Sequence, residues 1–317
     1  MTIADLPVGF MRGLVVVFGL LWGSFLNVVI YRVPLEMSVV TPPSHCPGCG
    51  KPIAAYDNIP VLSYVILRGR ARCCGVKMSP RYPMVELLGA ALSLAIFEVI
   101  IRQLPVDTTL ARAAAIYGAD FALCMALVAA AFIDAEHMYL PDPITIGGAI
   151  LGVGTSSLHD LSYVESIVGA AAGFIGVWLP FVVLYKIVRG KSGMGMGDAK
   201  LTMLAGAWFG WPGALFVFFA GALQGTIGAL LIYFVRGRIE EPASVRADRE
   251  ELQRDAAAGD EEAKQILADD PLLGAPPGEG LMASRLSFGP FLILACLEML
   301  FVGGWVHESY FAWIVRR

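Results

Sequence analysis

The chain has 317 residues, of which 57% are hydrophobic and 16% are charged, and its formal net charge is −4. A soluble domain carries about 25% charged residues, so this composition is typical of an integral membrane protein. The slightly negative balance, without a basic stripe, argues against a protein that binds nucleic acid.

Apolar runs of about 20 residues are long enough to cross a bilayer as helices. By that criterion we predict an all-α polytopic membrane protein with about eight spans, with seven or nine as alternatives. The fourth and sixth spans are short and glycine-rich, which favours tilted, broken or re-entrant helices. The eight segments lie near residues 8–30, 84–101, 113–133, 143–158, 164–187, 199–211, 213–235 and 288–306.

These segments divide the chain into five regions. The first ten residues contain Asp5 but no Lys or Arg, and no cleavage site follows, so we expect the first span to remain as an anchor. Mixed charges and a Pro/Gly-rich end mark the fourth region as a solvated insert. The regions are a first span (1–30), a cysteine-containing loop (31–83), a membrane core (84–235), the charged insert (236–287) and a last span with the C-terminus (288–317).

Basic residues orient this arrangement. Most of the 23 Lys and Arg residues lie in 31–83, 186–200 and 236–287. Because cytoplasmic loops are enriched in Lys and Arg, these stretches are predicted to be cytoplasmic and the N-terminus to lie outside. Asp134 then ends a span that runs inward and Asp198 begins a span that runs outward, so both carboxylates are expected at the cytoplasmic edge of the membrane.

Two carboxylates at one membrane edge favour acid–base chemistry. Close carboxyl groups share a proton, so one can activate water while the other donates to a leaving group. Asp198 follows Gly195 and Gly197, whose backbone can approach a substrate closely, and Lys200 is expected near a carboxylate or a lipid headgroup. The alternative is that both aspartates only cap helix ends, which is a common role for Asp. We interpret Asp142, between two prolines, as a turn and cap residue.

Two further acidic residues lie within apolar segments. Glu98 and Asp120 fall near the predicted outer ends of their spans. A side chain in that position can extend to the lipid–water boundary. We therefore expect both carboxylates to reach solvent.

The loop over 31–83 contains four cysteines that suggest a metal site. Cys46-Pro-Gly-Cys49-Gly is typical of a zinc knuckle, in which two thiolates converge on one tetrahedral ion. The second half reads Ala71-Arg-Cys73-Cys74-Gly, with Ala71 where the first thiolate of a second knuckle would stand. We predict a structural zinc site that contains Cys46, Cys49, Cys74 and a fourth ligand, either Cys73 or His45; Cys73 is the preferred choice.

Several motifs together resemble the type IV prepilin peptidases, also called leader peptidase/N-methyltransferases. The resemblance runs in order over almost the whole chain apart from the insert. One Gly-x-Gly-Asp sequence alone would be weak, but the ordered set is highly specific. The motifs are Gly23-Ser-Phe-Leu-Asn, Cys46-Pro-Gly-Cys49-Gly, Ser79-Pro-Arg-Tyr-Pro83-Met-Val-Glu86, Ile133-Asp134, Leu140-Pro-Asp142, Gly195-Met-Gly-Asp198-Ala-Lys200 and Phe288-Gly-Pro-Phe291.

The resemblance implies a membrane-boundary aspartic endopeptidase. Members of this family remove the basic leader of type IV prepilins and pseudopilins on the cytoplasmic side of the bacterial inner membrane. The family's two catalytic aspartates match Asp134 and Asp198. Many members then methylate the new N-terminus with S-adenosylmethionine. The expected partners are thus prepilin or pseudopilin substrates and membrane lipid.

Two other classes of protein remain as alternatives. Carboxylates beside broken helices also occur in ion-coupled transporters, whose sites lie near the bilayer midplane rather than at its edge. A non-catalytic assembly protein would use the cysteine loop to bind partners, and it would tolerate replacement of either aspartate. The sequence does not indicate the oligomeric state.

Overall fold

The computed structural model describes residues 2–190, 193–237, 242–269 and 286–315. Within these ranges the regular structure is helical, and the only strand-like pairings are three isolated β-bridges. The predicted all-α class is therefore confirmed. The Pro/Gly-rich stretch 274–280 of the insert lies outside the described residues.

Eleven α-helices are present in the described ranges. Two of them continue through π-helical turns, Ile96–Ile100 after α3 and Trp178–Leu184 after α6. In chain order the helices are α1 (Val8–Arg32), α2 (Leu62–Ile66), α3 (Arg81–Ala95), α4 (Leu110–His137), α5 (Asp142–Thr155), α6 (Tyr163–Val177), α7 (Tyr185–Arg189), α8 (Met196–Arg236), α9 (Ala243–Ala258), α10 (Glu261–Asp269) and α11 (Gly289–Val315).

Within the described ranges, five helical stretches are long and apolar enough to cross a membrane, so the predicted count of eight is not confirmed. The fourth predicted span corresponds to α5, which has only 14 residues. At 1.5 Å per residue, α5 is about 21 Å long, shorter than a hydrocarbon core of about 30 Å. The five stretches are Val8–Arg32, Arg81–Gln103, Leu110–His137, Tyr163–Arg189 and Met196–Arg236, and a shorter apolar stretch covers Gly289–Gly303.

Helix α8 contains the sixth and seventh predicted spans in one element of 41 residues. A straight helix of that length would measure about 60 Å, twice the hydrocarbon thickness. Gly210 interrupts it with φ 69° and ψ −179°, and Pro212 follows within the next turn. The backbone therefore breaks within one residue of the predicted end of the sixth segment.

The described chain forms two compact units. One comprises the residues up to Ala129 together with Leu158–Asp160, and the other comprises the remaining residues. In the first unit, α1 packs on α3 through glycines. A Cβ on Gly19 would lie 2.6 Å from the carbonyl oxygen of Gly89, so only glycine permits this approach.

In the second unit, α6 and α8 form the most extensive helix pair. Gly169 and Gly173 are four residues apart on α6, and Gly206 and Gly210 are four apart on α8. A Cβ on Gly206 would lie 2.0 Å from the carbonyl oxygen of Gly169. Small residues of this spacing let membrane helices approach until their backbones touch, so this contact fixes the position of the helix that carries Asp198.

The insert is described over α9 and α10. These helices carry charges of both signs, and α9 has a cap at Gly259 with φ 106°. The Ser244 hydroxyl at the start of α9 donates a hydrogen bond to the backbone oxygen of Glu136. The insert therefore contacts the segment that follows Asp134.

Candidate active site and metal centre

Asp134 lies in the last turn of α4, where the helix ends at His137. The following residue, Met138, adopts a left-handed conformation with φ 54°, and its N–H bonds to the backbone oxygen of Asp134. The side chain of Asp134 is buried, at 6% exposure. Ser287 and the backbone N–H of Gly289 face its carboxylate, while Oδ2 makes no hydrogen bond to any described residue. A buried carboxylate oxygen without a donor is costly in a purely structural residue.

Asp198 lies in the first turn of α8. Gly195 precedes the helix in an extended conformation, with φ −72° and ψ 148°. The carboxylate of Asp198 accepts a hydrogen bond of 3.3 Å from the N–H of Gly195. Asp198 therefore satisfies one of the free donors at the helix start, but it does so as the third residue of the helix and not as its N-cap, which is Gly195. Capping occupies one of its oxygens and leaves the other available for chemistry.

The two carboxylates lie close enough to interact electrostatically. The side chain of Leu140 forms part of the wall around them. A Cβ on Gly197 would lie 3.2 Å from Cβ of Leu140, and a Cβ on Gly289 would lie 3.2 Å from Cδ2 of Leu140. The ends of α4, α8 and α11 thus converge on Leu140 and the aspartates. The structure brings Asp134 close to Gly197 and Asp198, which lie more than 60 residues further along the chain.

Of the two environments predicted for Lys200, a carboxylate or a lipid headgroup, the structure shows a carboxylate. Its Nζ lies 2.6 Å from Oδ1 of Asp142, and the two side chains are 24% and 56% exposed. Asp142 is the first residue of α5, which follows Pro141. This ion pair joins the start of α5 to the start of α8, one turn or less from Asp198.

The four loop cysteines converge as predicted. Cys46 Sγ lies 3.5 Å from Cys74 Sγ, Cys49 Sγ lies 3.3 Å from Cys73 Sγ, and all four sulfurs lie within 4.8 Å of one another. Tetrahedral Zn²⁺ with bonds of about 2.3 Å places its sulfur ligands about 3.8 Å apart. The cluster therefore has the dimensions of a four-thiolate metal site, and it contains Cys73 rather than His45.

The backbone explains how the irregular second half still converges. The N–H of Cys46 bonds to the oxygen of Lys51, and the N–H of Ala71 bonds to the oxygen of Val76 in the same way. Gly50 and Gly75 close the two turns with φ values of 70° and 72°. Ala71 therefore occupies the position of Cys46 in a repeated knuckle. The fourth sulfur comes from Cys73 inside the turn, and its Sγ lies 4.0 Å from that of Cys74.

The electrostatics of the cluster suit a metal site. Hydrogen bonding from the backbone N–H of Gly48 lowers the pKa of the Cys46 thiol to about 6. The neighbouring thiols of Cys49 and Cys46 raise the pKa of Cys73 to about 12. Four sulfurs this close cannot all ionise without a cation, and a bound divalent metal would stabilise all four thiolates.

Two acidic residues in apolar segments behave differently from one another. Glu98 is 27% exposed and binds Arg12 and Arg102. The expectation that Asp120 reaches solvent is wrong, because it is fully buried and its Oδ1 lies 2.8 Å from Nε2 of His159. No local sequence pattern predicts this pair, since 39 residues separate its members.

Comparisons with known proteins place these residues in a family context. The model of the bacterial peptidase A24 N-terminal domain matches residues 17–100, and the model of the type IV leader peptidase family matches residues 121–230. The first match contains the four cysteines and the second contains Asp134 and Asp198. Neither match includes the insert. No solved structure gives a significant match.

Curated relatives agree with these models. A prepilin leader peptidase/N-methyltransferase of Myxococcus xanthus is 34% identical, and the match covers 96% of this chain and 95% of the relative. One of the same name from Klebsiella pneumoniae is 39% identical over 61% of this chain and 82% of the relative. One from Neisseria gonorrhoeae is 36% identical over 62% of this chain and 73% of the relative.

Proposed function

The chain belongs to the type IV leader peptidase family, and we propose that it hydrolyses the peptide bond between leader and mature sequence in type IV prepilins or pseudopilins. Family membership rests on the two matching models and on the relative aligned over 96% of the chain. The observation that carries the catalytic assignment is that the end of α4 and the starts of α8 and α11 bring Asp134 and Asp198 together, with Gly197 and Gly289 both against Leu140. We infer that these two residues are the catalytic pair.

The chemistry requires one ionised and one protonated carboxyl group. The ionised group accepts a proton from water as the water oxygen attacks the peptide carbonyl carbon. The protonated group donates its proton to the carbonyl oxygen, which gives a tetrahedral diol. When the C–N bond breaks, the group that took the water proton delivers it to the departing amine, and the other group takes a proton back from the diol. The pair thus ends the cycle with the same number of protons. Each carboxylate must reach the same carbonyl group, which their proximity supports.

Gly195 and Gly197 are proposed to position this pair. Gly195 gives the N–H that holds the Asp198 carboxylate, and Gly197 lies against Leu140 where a larger residue would meet its side chain. Lys200 is proposed to act indirectly, through its ion pair with Asp142. The capping contact of Asp198 is compatible with this role, because it orients the carboxylate.

N-methylation of the newly exposed amino group is proposed as a second activity. It is supported by the name that the relatives share, prepilin leader peptidase/N-methyltransferase. The methyl donor consistent with that name is S-adenosylmethionine. The part of the chain that the structure describes does not single out residues for binding it.

A structural zinc ion is proposed at Cys46, Cys49, Cys73 and Cys74. Three of the sulfur separations are 3.3, 3.5 and 4.0 Å, and all six are at most 4.8 Å, close to the edges of a tetrahedron around one ion. Four protein ligands leave no open position for a substrate or water, so the ion would stabilise the loop. Hydrolysis by the aspartates does not involve it.

The proposed location is the bacterial inner membrane, with the aspartates at the cytoplasmic face. The five apolar helices support a membrane protein, and the Lys- and Arg-rich stretches support the orientation. A prepilin would then enter with its apolar helix in the lipid and its leader in the cytoplasm. The bond to be cut would lie at the same depth as Asp134 and Asp198.

Mass spectrometry of a purified reaction tests both activities. The detergent-solubilised protein is incubated with a prepilin and S-adenosylmethionine, beside Asp134→Asn, Asp198→Asn and the exposed control Asp107→Asn. Loss of the leader mass is expected with the wild type and the control but with neither of the other variants, and an added methyl mass would establish the second activity. An uncut substrate in every reaction, with folded protein and several prepilins, would contradict the peptidase proposal. Cleavage by either Asp134→Asn or Asp198→Asn would contradict the catalytic pair.

A further inference from the structure

An apolar cavity lies in the first unit among α1, the π-helical turn after α3 and the start of α4. Its volume is about 270 Å³, and it is partly open to the outside. The lining is apolar and includes Met11, Leu14, Phe97, Ile101, Ala113 and Ala114. The hydroxyl of Tyr117, another lining residue, is directed to Ser93 at 2.6 Å. The surface of the cavity is therefore apolar, which suits an apolar ligand.

The dimensions suit a hydrocarbon chain. An engineered apolar cavity of about 150 Å³ stays dry and takes up benzene. This cavity is larger, and Leu14 at its edge is 51% exposed, on a helix long enough to cross the bilayer. Lipid acyl chains would surround such an opening. Leaving the cavity empty would forfeit the dispersion contacts of its lining.

A cluster of charges lies beside the cavity. Met11 and Ile101 line it, and the next residues in sequence are Arg12 and Arg102. Both guanidinium groups bind Glu98, with Arg12 Nε 2.6 Å from Oε1. The side chains of Arg12 and Arg102 are 50% and 44% exposed. Two arginines share one carboxylate, so the cluster has one positive charge in excess and N–H donors directed to solvent.

The π-helical turn Ile96–Ile100 carries residues of both features. A π turn inserts an extra residue into the helical repeat, and such turns are frequent at functional sites. Here Phe97 faces the cavity while the next residue, Glu98, faces the arginines. The apolar and charged features are therefore built by adjacent residues of one irregular turn.

We propose that the cavity and the arginine pair form a binding site for one anionic phospholipid, with an acyl chain in the cavity and the phosphate at Arg12 and Arg102. Arginine forks match phosphate oxygens, which makes arginine the usual residue for phosphate recognition. The monoanionic phosphate of a phosphatidylglycerol neutralises the excess charge. A zwitterionic lipid brings its own cation, which Arg12 and Arg102 disfavour. In the proposed orientation the site serves the outer leaflet.

Native mass spectrometry of the full-length protein tests the site. The protein is released from detergent after titration with equal amounts of phosphatidylglycerol and phosphatidylcholine. We expect each protein to retain one lipid, with phosphatidylglycerol retained about fivefold more often than phosphatidylcholine. A fivefold ratio corresponds to a fraction of the free energy of one charge-assisted hydrogen bond. Glycerol phosphate, the headgroup without chains, should not displace it. Displacement by glycerol phosphate, or absence of any retained lipid, would overturn the proposal.

Three variants separate the charged and apolar parts. Glu98→Gln frees both arginines and should increase the preference for phosphatidylglycerol. Arg12→Gln combined with Arg102→Gln and Glu98→Gln removes every charge of the cluster and should abolish the preference while a lipid is still retained. Ala114→Phe, at an exposed position of the lining, should fill the cavity and abolish retention of both lipids.

Leu231→Phe is the matched control, because it adds aromatic volume at an exposed position that is not part of the cavity lining. It should leave both retention and preference unchanged. Circular dichroism of each variant establishes that it is folded. An unchanged preference in Glu98→Gln and in the triple variant, with folded protein, would show that the arginines do not recognise the headgroup and would overturn the proposal.

Discussion

Gly289 lies directly against the carboxylate of Asp134. A Cβ placed on Gly289 would come within 2.5 Å of Oδ2 of Asp134 and within 3.2 Å of Cδ2 of Leu140. The first residue of α11 therefore forms part of the wall around the aspartate, and its N–H faces the carboxylate. A residue 155 positions away in sequence thereby limits where the Asp134 side chain can lie.

Replacing this glycine should impair cleavage without unfolding the protein. In Gly289→Ala, the added methyl group would displace the Asp134 carboxylate or α11 by a few tenths of an ångström or more. A misplacement of about 1 Å in catalytic geometry costs about 100-fold in rate. We expect the single-turnover rate of leader removal to fall by about 10- to 100-fold, with an unchanged helical circular dichroism spectrum.

Gly147→Ala is the matched control for this measurement. Gly147 lies on α5, and a Cβ there would meet no atom within 4 Å. Its cleavage rate should equal that of the wild type. If Gly289→Ala cleaved as fast as Gly147→Ala, the wall formed by α11 would have no bearing on the reaction.

Asp142 should be dispensable for the chemistry. Its carboxylate binds Lys200 and is 56% exposed. Exposed ion pairs contribute about 0 to 1 kcal/mol, so Asp142→Asn should change stability little and lower the cleavage rate by no more than about fivefold. Kinetics of Asp142→Asn beside Asp134→Asn checks this directly. A loss in Asp142→Asn as large as that in Asp134→Asn would indicate a third catalytic acid.

The sequence predicted the long helices and the convergence of the cysteines. A long apolar run predicts a membrane span, because backbone groups in lipid can form hydrogen bonds only within their own helix. Helix α1 begins at the predicted residue. Cysteine spacing locates a metal site because short turns bring thiolates together. The contact between Lys200 and a carboxylate was one of the two predicted environments. The first two inferences depend on neighbours along the chain, whereas the partner of Lys200 lies 58 residues away.

The unpredicted features depend on contacts between distant segments. The pair of Asp120 and His159, and the contact between Gly289 and Asp134, join residues that no local pattern relates. The count of eight spans is not confirmed because hydropathy reports apolar length. It does not report whether a short helix such as α5 lies within protein. The hydrogen bond from Ser244 to Glu136 likewise connects the insert to a segment that composition treats separately.

Moving one cysteine should restore a regular metal site. Because Ala71 has the backbone position of Cys46, Ala71→Cys combined with Cys73→Ala should present four thiolates from two identical knuckles. Cys73→Ala alone leaves three thiolates and should lower the zinc content of the purified protein well below one ion per chain. The double variant should return it to the wild-type level. Elemental analysis and the absorption spectrum of the Co²⁺-substituted protein report the ion and its sulfur ligands.

Cys296→Ala is the control for that series, because Cys296 is a buried residue of α11 outside the cluster. Its zinc content should match the wild type. A double variant that binds no more metal than Cys73→Ala would show that the two turns do not form equivalent knuckles. Equal metal in the wild type and Cys73→Ala would show that Cys73 is not a ligand.

The glycine contact between α6 and α8 should dominate the stability of the second unit. In Gly206→Ala, the new Cβ would lie 2.0 Å from the carbonyl oxygen of Gly169, which the helices can relieve only by moving apart. Overpacking of this kind costs about 1 to 3 kcal/mol. For a protein of this size, that cost lowers the unfolding temperature by about 1.5 to 5 °C.

Gly154→Ala, on the neighbouring helix α5, is expected not to destabilise the protein. A Cβ on Gly154 would meet no atom within 4 Å, and alanine favours helix over glycine by about 1 kcal/mol. Its unfolding temperature in detergent should be equal to or slightly above that of the wild type. Thermal scans of both variants by intrinsic fluorescence make the comparison. If Gly206→Ala were as stable as Gly154→Ala, the two helix backbones would not be in the close contact that positions Asp198.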